Sequence, residues 1–185
     1  MSIRLLGRSL VGCLVLGLFA GCRVSPPPRA NALAVGGGVL RAGEGVRSPQ
    51  WIGGTTDWFN GINLTNRSAH SVVIEDVTIR ELGPDLRLVG VVFARFGELP
   101  RSLAGSFTGL CGTKPPSQYH PHPLTGFVIQ SGESVLPIIG IADPNMKTES
   151  ASGLRVKYRL EGHVLVQDFY YRAEFSSRRE RCPSA

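Results

Sequence analysis

From Trp51 onward the chain alternates apolar and polar residues in short runs, and no window sustains an apolar face at i, i+3, i+4 spacing. The clearest run sets Leu154, Val156, Tyr158 and Leu160 on one face and Arg155, Lys157 and Arg159 on the other. Such a period of two predicts a half-buried strand. Glu161-Gly162 then suits a two-residue hairpin turn. That turn fixes a register in which Leu160 faces His163, Tyr158 faces Leu165, Val156 faces Gln167 and Leu154 faces Phe169. The returning strand runs to about Phe175.

Five more strands read the same way. Asp57–Leu64 is the first, ending at the polar turn Asn66-Arg67-Ser68. Ser71–Arg80 follows, but its apolar phase slips between Ile74 and Val77, which predicts a bulge or a change of sheet. Leu86–Phe96 is apolar on both faces between Leu88 and Ala94, as a central strand is. Gly126–Gln130 and Val135–Ala142 complete the set. About seven strands separated by turn signals predict an all-β, antiparallel sandwich. The stretch from Gly97 to Gly126 breaks the pattern with five prolines and Cys111, and reads as a long irregular excursion.

The first fifty residues have another pattern. Arg4 and Arg8 precede an uncharged run from Ser9 to Gly21. A charged start, a short apolar core and small residues describe an export signal. The run is shorter than the ~20 apolar residues of a membrane span. Its end, Phe19-Ala20-Gly21-Cys22, resembles the lipobox of bacterial lipoproteins, with Phe19 where leucine is usual. The resemblance implies cleavage before Cys22 and a diacylglyceryl group on its sulfur. It also implies a chain anchored in the cell membrane at the extracytoplasmic face, in the periplasm or at the cell surface. Three regions follow: a signal over residues 1–21, a Pro/Gly-rich, disordered tether over 22–50, and the sandwich over 51–185.

The mature chain keeps about +4 of the +6 formal charge, because Arg4 and Arg8 leave with the signal. The cations form no stripe of the kind that tracks nucleic acid; the densest cluster, Arg178-Arg179-Glu180-Arg181, lies in the tail. Of four cysteines, Cys13 leaves with the signal and Cys22 is the lipidation site. Cys111 and Cys182 remain as an even pair in an oxidising compartment, and we expect a disulfide between them.

Two short motifs resemble those of bacterial immunoglobulin-like domains. Ile129-Gln130-Ser131-Gly132-Glu133-Ser134-Val135 is similar to their Pro-Gly-Glu-Ser hairpin, and Asn63-Leu64-Thr65-Asn66 before Val72-Val73-Ile74 to their asparagine-ended strand pair. The resemblance implies an immunoglobulin-like sandwich and no activity.

Chemistry-bearing residues are few. Tyr119-His120-Pro121-His122-Pro123 places two histidines at i, i+2, and on an extended segment His120 and His122 point the same way. A copper or zinc ion would suit them, with Met146 and His163 as further ligands. Gly105-Ser106-Phe107-Thr108-Gly109 sets its serine one place too early for a nucleophile elbow. Trp51, Trp58, Tyr119, Tyr170 and Tyr171 suit either packing or stacking on sugars. The expectation is a non-catalytic, membrane-anchored binding or interaction module without a cofactor. Its partner would be an extracytoplasmic protein or wall component, and the Gly97–Gly126 excursion its best surface. A metal-handling lipoprotein using His120 and His122 is one alternative. An exported hydrolase with a dispersed site is another.

Overall fold

The computed structural model describes residues 31–36, 46–52, 56–59, 62–99, 110–144 and 147–182. Cys22, Met146, Ser106 and the signal segment lie outside the described residues. Among the described residues twelve strands form two sheets packed as a β-sandwich, and no described segment is an α-helix. The strands are β1 (Leu33–Gly36), β2 (Val46–Ile52), β3 (Thr56–Phe59), β4 (Asn63–Asn66), β5 (Val72–Leu82) and β6 (Arg87–Arg95). They continue as β7 (Leu110–Gly112), β8 (His122–Pro123), β9 (Val128–Ile129), β10 (Ser134–Ala142), β11 (Glu149–Leu160) and β12 (His163–Arg181).

The first sheet is built on β10. One edge of β10 pairs with β6 along most of its length; the other pairs with β4 at Ser134–Val135 and with β3 at Ile139–Ile141. The gap between them falls at Pro137, the residue with no N–H to give a ladder. β1 extends the sheet beyond β4, β7 beyond β3, and β8 beyond β6. The second sheet runs β2-β12-β11-β5-β9 and is antiparallel except for β2, which lies parallel to β12 from Ala173 onward.

The β11–β12 hairpin forms in the expected register, from Leu160 opposite His163 to Leu154 opposite Phe169. Glu161 and Gly162 both have positive φ, as a type I′ turn requires. The expected bulge in β5 is present: Lys157 faces Asp76 and Tyr158 faces Ile74, so Glu75 is the extra residue. That insertion returns Ile74 and Val77 to the same inner face.

Inner side chains of both sheets close one core, with Leu154, Val156, Tyr158 and Phe175 meeting Leu64, Phe93, Ile139 and Ile141. Phe59 meets Phe175 edge-on at 6.0 Å between ring centroids.

Two expectations need correction. The tether was expected to reach residue 50, yet Leu33–Gly36 and Val46–Ile52 are strands. The apolar run Ala32-Leu33-Ala34-Val35 explains the first: Ala32 and Leu33 are buried, and β1 pairs along β4. Asp57–Leu64 was expected as one strand, but it divides into β3 and β4, which share one edge of β10.

Candidate functional site

The two outer faces of the sandwich differ, and the site expected in the Gly97–Gly126 excursion lies on the first sheet. Leu136 and Ile138 point outward from β10. Trp58 projects from β3 to the same side, and its ring lies against Gly140; a Cβ there would stand 2.7 Å from Cη2 and Cζ3. Only glycine lets the indole lie this close to the sheet. The excursion covers these residues. Trp58 Nε1 donates to the Gly112 carbonyl at 3.2 Å, and Tyr119, in a 3-10 turn over Ser117–Tyr119, packs into the cluster. Trp58 is 4% exposed and Tyr119 3%, so neither is a platform for a sugar ring. Burial pushes the Tyr119 phenol above its ordinary value. Tyr170 is the exposed aromatic; the side chains of Trp51 and Tyr171 lie outside the described residues.

A disulfide holds the excursion. Cys111 on β7 lies opposite Asp57, and it is bonded to Cys182 just beyond β12, with the Cα atoms 5.6 Å apart. One end of the first sheet is thereby tied to the last strand of the second.

The far end of the excursion makes a polar rim. His122 lies opposite Phe93, and its Nε2 meets Glu98 Oε2 at 2.7 Å. Glu98 belongs to a 3-10 turn, Phe96–Glu98, that directly follows β6. The hydrogen bond to His122 holds the Glu98 carboxyl below its ordinary value; desolvation opposes this, and charge on His122, Arg95 and His120 adds to it. Phe127 stacks on Phe93 at 4.7 Å, and the Arg95 guanidinium lies over the Phe127 ring, 4.7 Å from its centroid. Arg95 also pairs with Glu133 and donates to the Val128 carbonyl at 3.0 Å.

The hairpin and asparagine motifs meet beside this rim. Asn66 is fully buried; its Nδ2 donates to the His70 carbonyl at 2.8 Å and the Ile129 carbonyl at 3.0 Å. The Gly132 N–H returns to the Asn66 carbonyl at 2.8 Å, and Glu133 Oε2 accepts from the Gln130 N–H at 2.8 Å. Asn66 therefore ties its own turn to β9 and to the turn at Gly132–Glu133 without exposing a polar atom.

The extended segment expected to carry both His120 and His122 includes only His122. His120 follows the 3-10 turn with φ 45°, in the left-handed region, so the extended segment begins only at His122. His163 opens β12 in the other sheet. Among the described residues no three His, Cys, Asp or Glu converge as metal ligands. Glu98 carried no sequence signal, because it lies 24 positions before His122 and only the return of β8 along β6 brings them together. A His–carboxylate pair is two thirds of a hydrolytic triad, yet no hydroxyl or thiol hydrogen-bonds to His122 among the described residues.

No protein-family model and no curated protein matches the chain. Solved structures that are similar in part include two enzymes. The Vibrio cholerae VesB protease superposes with TM-score 0.36 at 10% identity, over 78% of this chain and 32% of that one. A family 123 glycoside hydrolase from Clostridium perfringens superposes with TM-score 0.35 at 12% identity, over 70% of this chain and 22% of that one. The chain thus spans less than a third of either protein.

Proposed function

We propose that this protein is a lipoprotein anchored through Cys22 at the extracytoplasmic face of a membrane. Its β-sandwich serves there as a non-catalytic binding or interaction module. The observation that carries the reading is the leader: Arg4 and Arg8, an uncharged Ser9–Gly21, then Phe19-Ala20-Gly21-Cys22. The Cys111–Cys182 bond supports the compartment, because disulfides persist where the surroundings are oxidising. Two or more acyl chains on Cys22 would anchor the chain stably, at about 0.8 kcal/mol per buried methylene. The module would present the rim of Glu98, His120 and His122 to its partner, on a frame held by the disulfide.

Intact mass of the protein from native membranes tests this. The expected species begins at Cys22, carries acyl chains, and takes up alkylating agent at Cys111 and Cys182 only after reduction. Cys22→Ser protein should leave the membrane fraction. An unlipidated wild-type mass, or a Cys22→Ser chain held as firmly as wild type, overturns the reading.

A further inference from the structure

Among the described residues four large apolar side chains stand exposed: Val89 at 49%, Val164 at 49%, Val166 at 48% and Tyr170 at 58%. Three of the four lie on one strand. Val164 and Val166 point outward from β12, while Leu165 between them and Phe169 further along pack toward the core. This half of β12 is also the margin of its sheet, since β2 joins only from Ala173.

We propose that the outward face of β12, with Val164, Val166 and Tyr170, rests on the lipid bilayer in which the chain is anchored. The proposal builds on lipidation of Cys22. Gln167, between Val166 and Asp168, turns inward and donates from Nε2 to the Leu33 carbonyl at 2.7 Å. The Ala32 carbonyl accepts from the Arg67 N–H at 2.8 Å. The chain therefore joins the sandwich directly behind the exposed half of β12. Ala32 lies ten positions after Cys22, a reach of at most about 35 Å at 3.3–3.6 Å per residue. A lipid on Cys22 confines this margin to the neighbourhood of the bilayer.

The chemistry of the face fits a lipid surface and defines the kind of contact. Valines and an amphipathic tyrosine ring suit the boundary between headgroups and acyl chains. Among the described side chains around them the charges balance. Arg155 is paired with Asp168, Lys157 and Arg159 with Glu75, and Arg80 with Asp168. Asp76 lies opposite Lys157, Glu81 accepts from Ser152, and Arg172 is paired with Glu174. Attraction to anionic lipid is therefore not the driving force. Three apolar side chains alone bind a membrane marginally; a short tether converts that into an intramolecular contact at high effective concentration. The contact is accordingly expected of the lipidated chain, in neutral as in anionic vesicles, and to be insensitive to salt.

The test places tryptophan on each outer face of the lipidated, full-length mature chain: Val166→Trp on β12 and Val89→Trp on β6. The proteins are reconstituted in phosphatidylcholine vesicles with brominated acyl chains, and the emission of Trp51 and Trp58 is subtracted using wild type. Side chains resting about 5–10 Å into the boundary region lie within reach of the bromines. Several-fold stronger quenching of Val166→Trp than of Val89→Trp is expected, with Tyr170→Trp repeating the result should Val166→Trp fold poorly. Equal quenching in protein that floats with the vesicles overturns the docking and leaves the anchor standing. Protein that does not float overturns the anchor, and the docking with it. In lipid-free Cys22→Ser chain, shielding of the new tryptophan from acrylamide that rises with protein concentration would assign the face to a second copy, and also overturns the proposal.

Discussion

β10 and β11 are the central strands of the two sheets, and they differ in what lies outside them. From Val135 to Ile141 every residue of β10 is buried; Val135, Ile139 and Ile141 meet the core, while Leu136 and Ile138 lie under the excursion. In β11 burial alternates from Leu154 to Leu160, and Arg155, Lys157 and Arg159 stand in water. A strand buried on both faces reads as a continuous apolar run, and a strand with one wet face alternates. The cover on the first sheet is therefore part of the fold. Without the excursion, Trp58, Leu136 and Ile138 would be an apolar patch of the kind soluble domains avoid.

Two experiments can break this contrast, the larger effect first. Opening the Cys111–Cys182 bond frees a 71-residue separation, which on the chain-entropy model costs about 4 kcal/mol. Cys182→Ser protein should lose about that much in denaturant unfolding. Its tryptophan emission should shift to the red, because the cover over Trp58 is held from the Cys111 end. Unchanged emission would mean that packing alone keeps the excursion in place. Gly140→Ala should cost about 1–3 kcal/mol, since its methyl overlaps the Trp58 ring and the ring has the excursion above it. Gly97→Ala is the control, because no atom lies within 4 Å of a Cβ there, and its effect should stay within about 0.5 kcal/mol.

Much of the fold was legible, for a physical reason that also marks where legibility stops. A two-residue turn and a period of two fix register locally, so Leu160 opposite His163 was readable, and so was the bulge that Ile74 and Val77 announce. The short strands were not. β7, β8 and β9 are two or three residues long, and each exists because a longer strand offers it an edge. The break between β3 and β4 depends on how both meet β10. The disulfide followed from counting cysteines, whereas Glu98 beside His122 followed from nothing local. His120 shows how local reading fails: an i, i+2 spacing implies shared direction only on extended backbone, and a left-handed residue at the end of a 3-10 turn removes that premise.

The smallest predicted effect sharpens the contrast from the wet side. Arg155 Nε and Nη2 reach Asp168 Oδ1 and Oδ2 at 2.8 and 2.9 Å, a two-pronged pair across β11 and β12. That hydrogen bonding holds the Asp168 carboxyl below its ordinary value; desolvation opposes it, and charge on Arg155 and Arg80 adds to it. A carboxyl depressed in the folded state contributes stability above its unfolded pKa and loses it as pH falls through the folded pKa. Arg155→Met should therefore move the Asp168 titration, followed by NMR, upward toward the ordinary carboxylate value. The accompanying fall in Tm should be present at neutral pH, vanish in acid, shrink with added salt, and stay well below that of Gly140→Ala. In lipid-free Cys22→Ser chain, a fall as large as that of Gly140→Ala and indifferent to salt would show that this face is not open to water even away from a membrane. The alternating pattern of β11 would then mark something other than a sheet with water on one side.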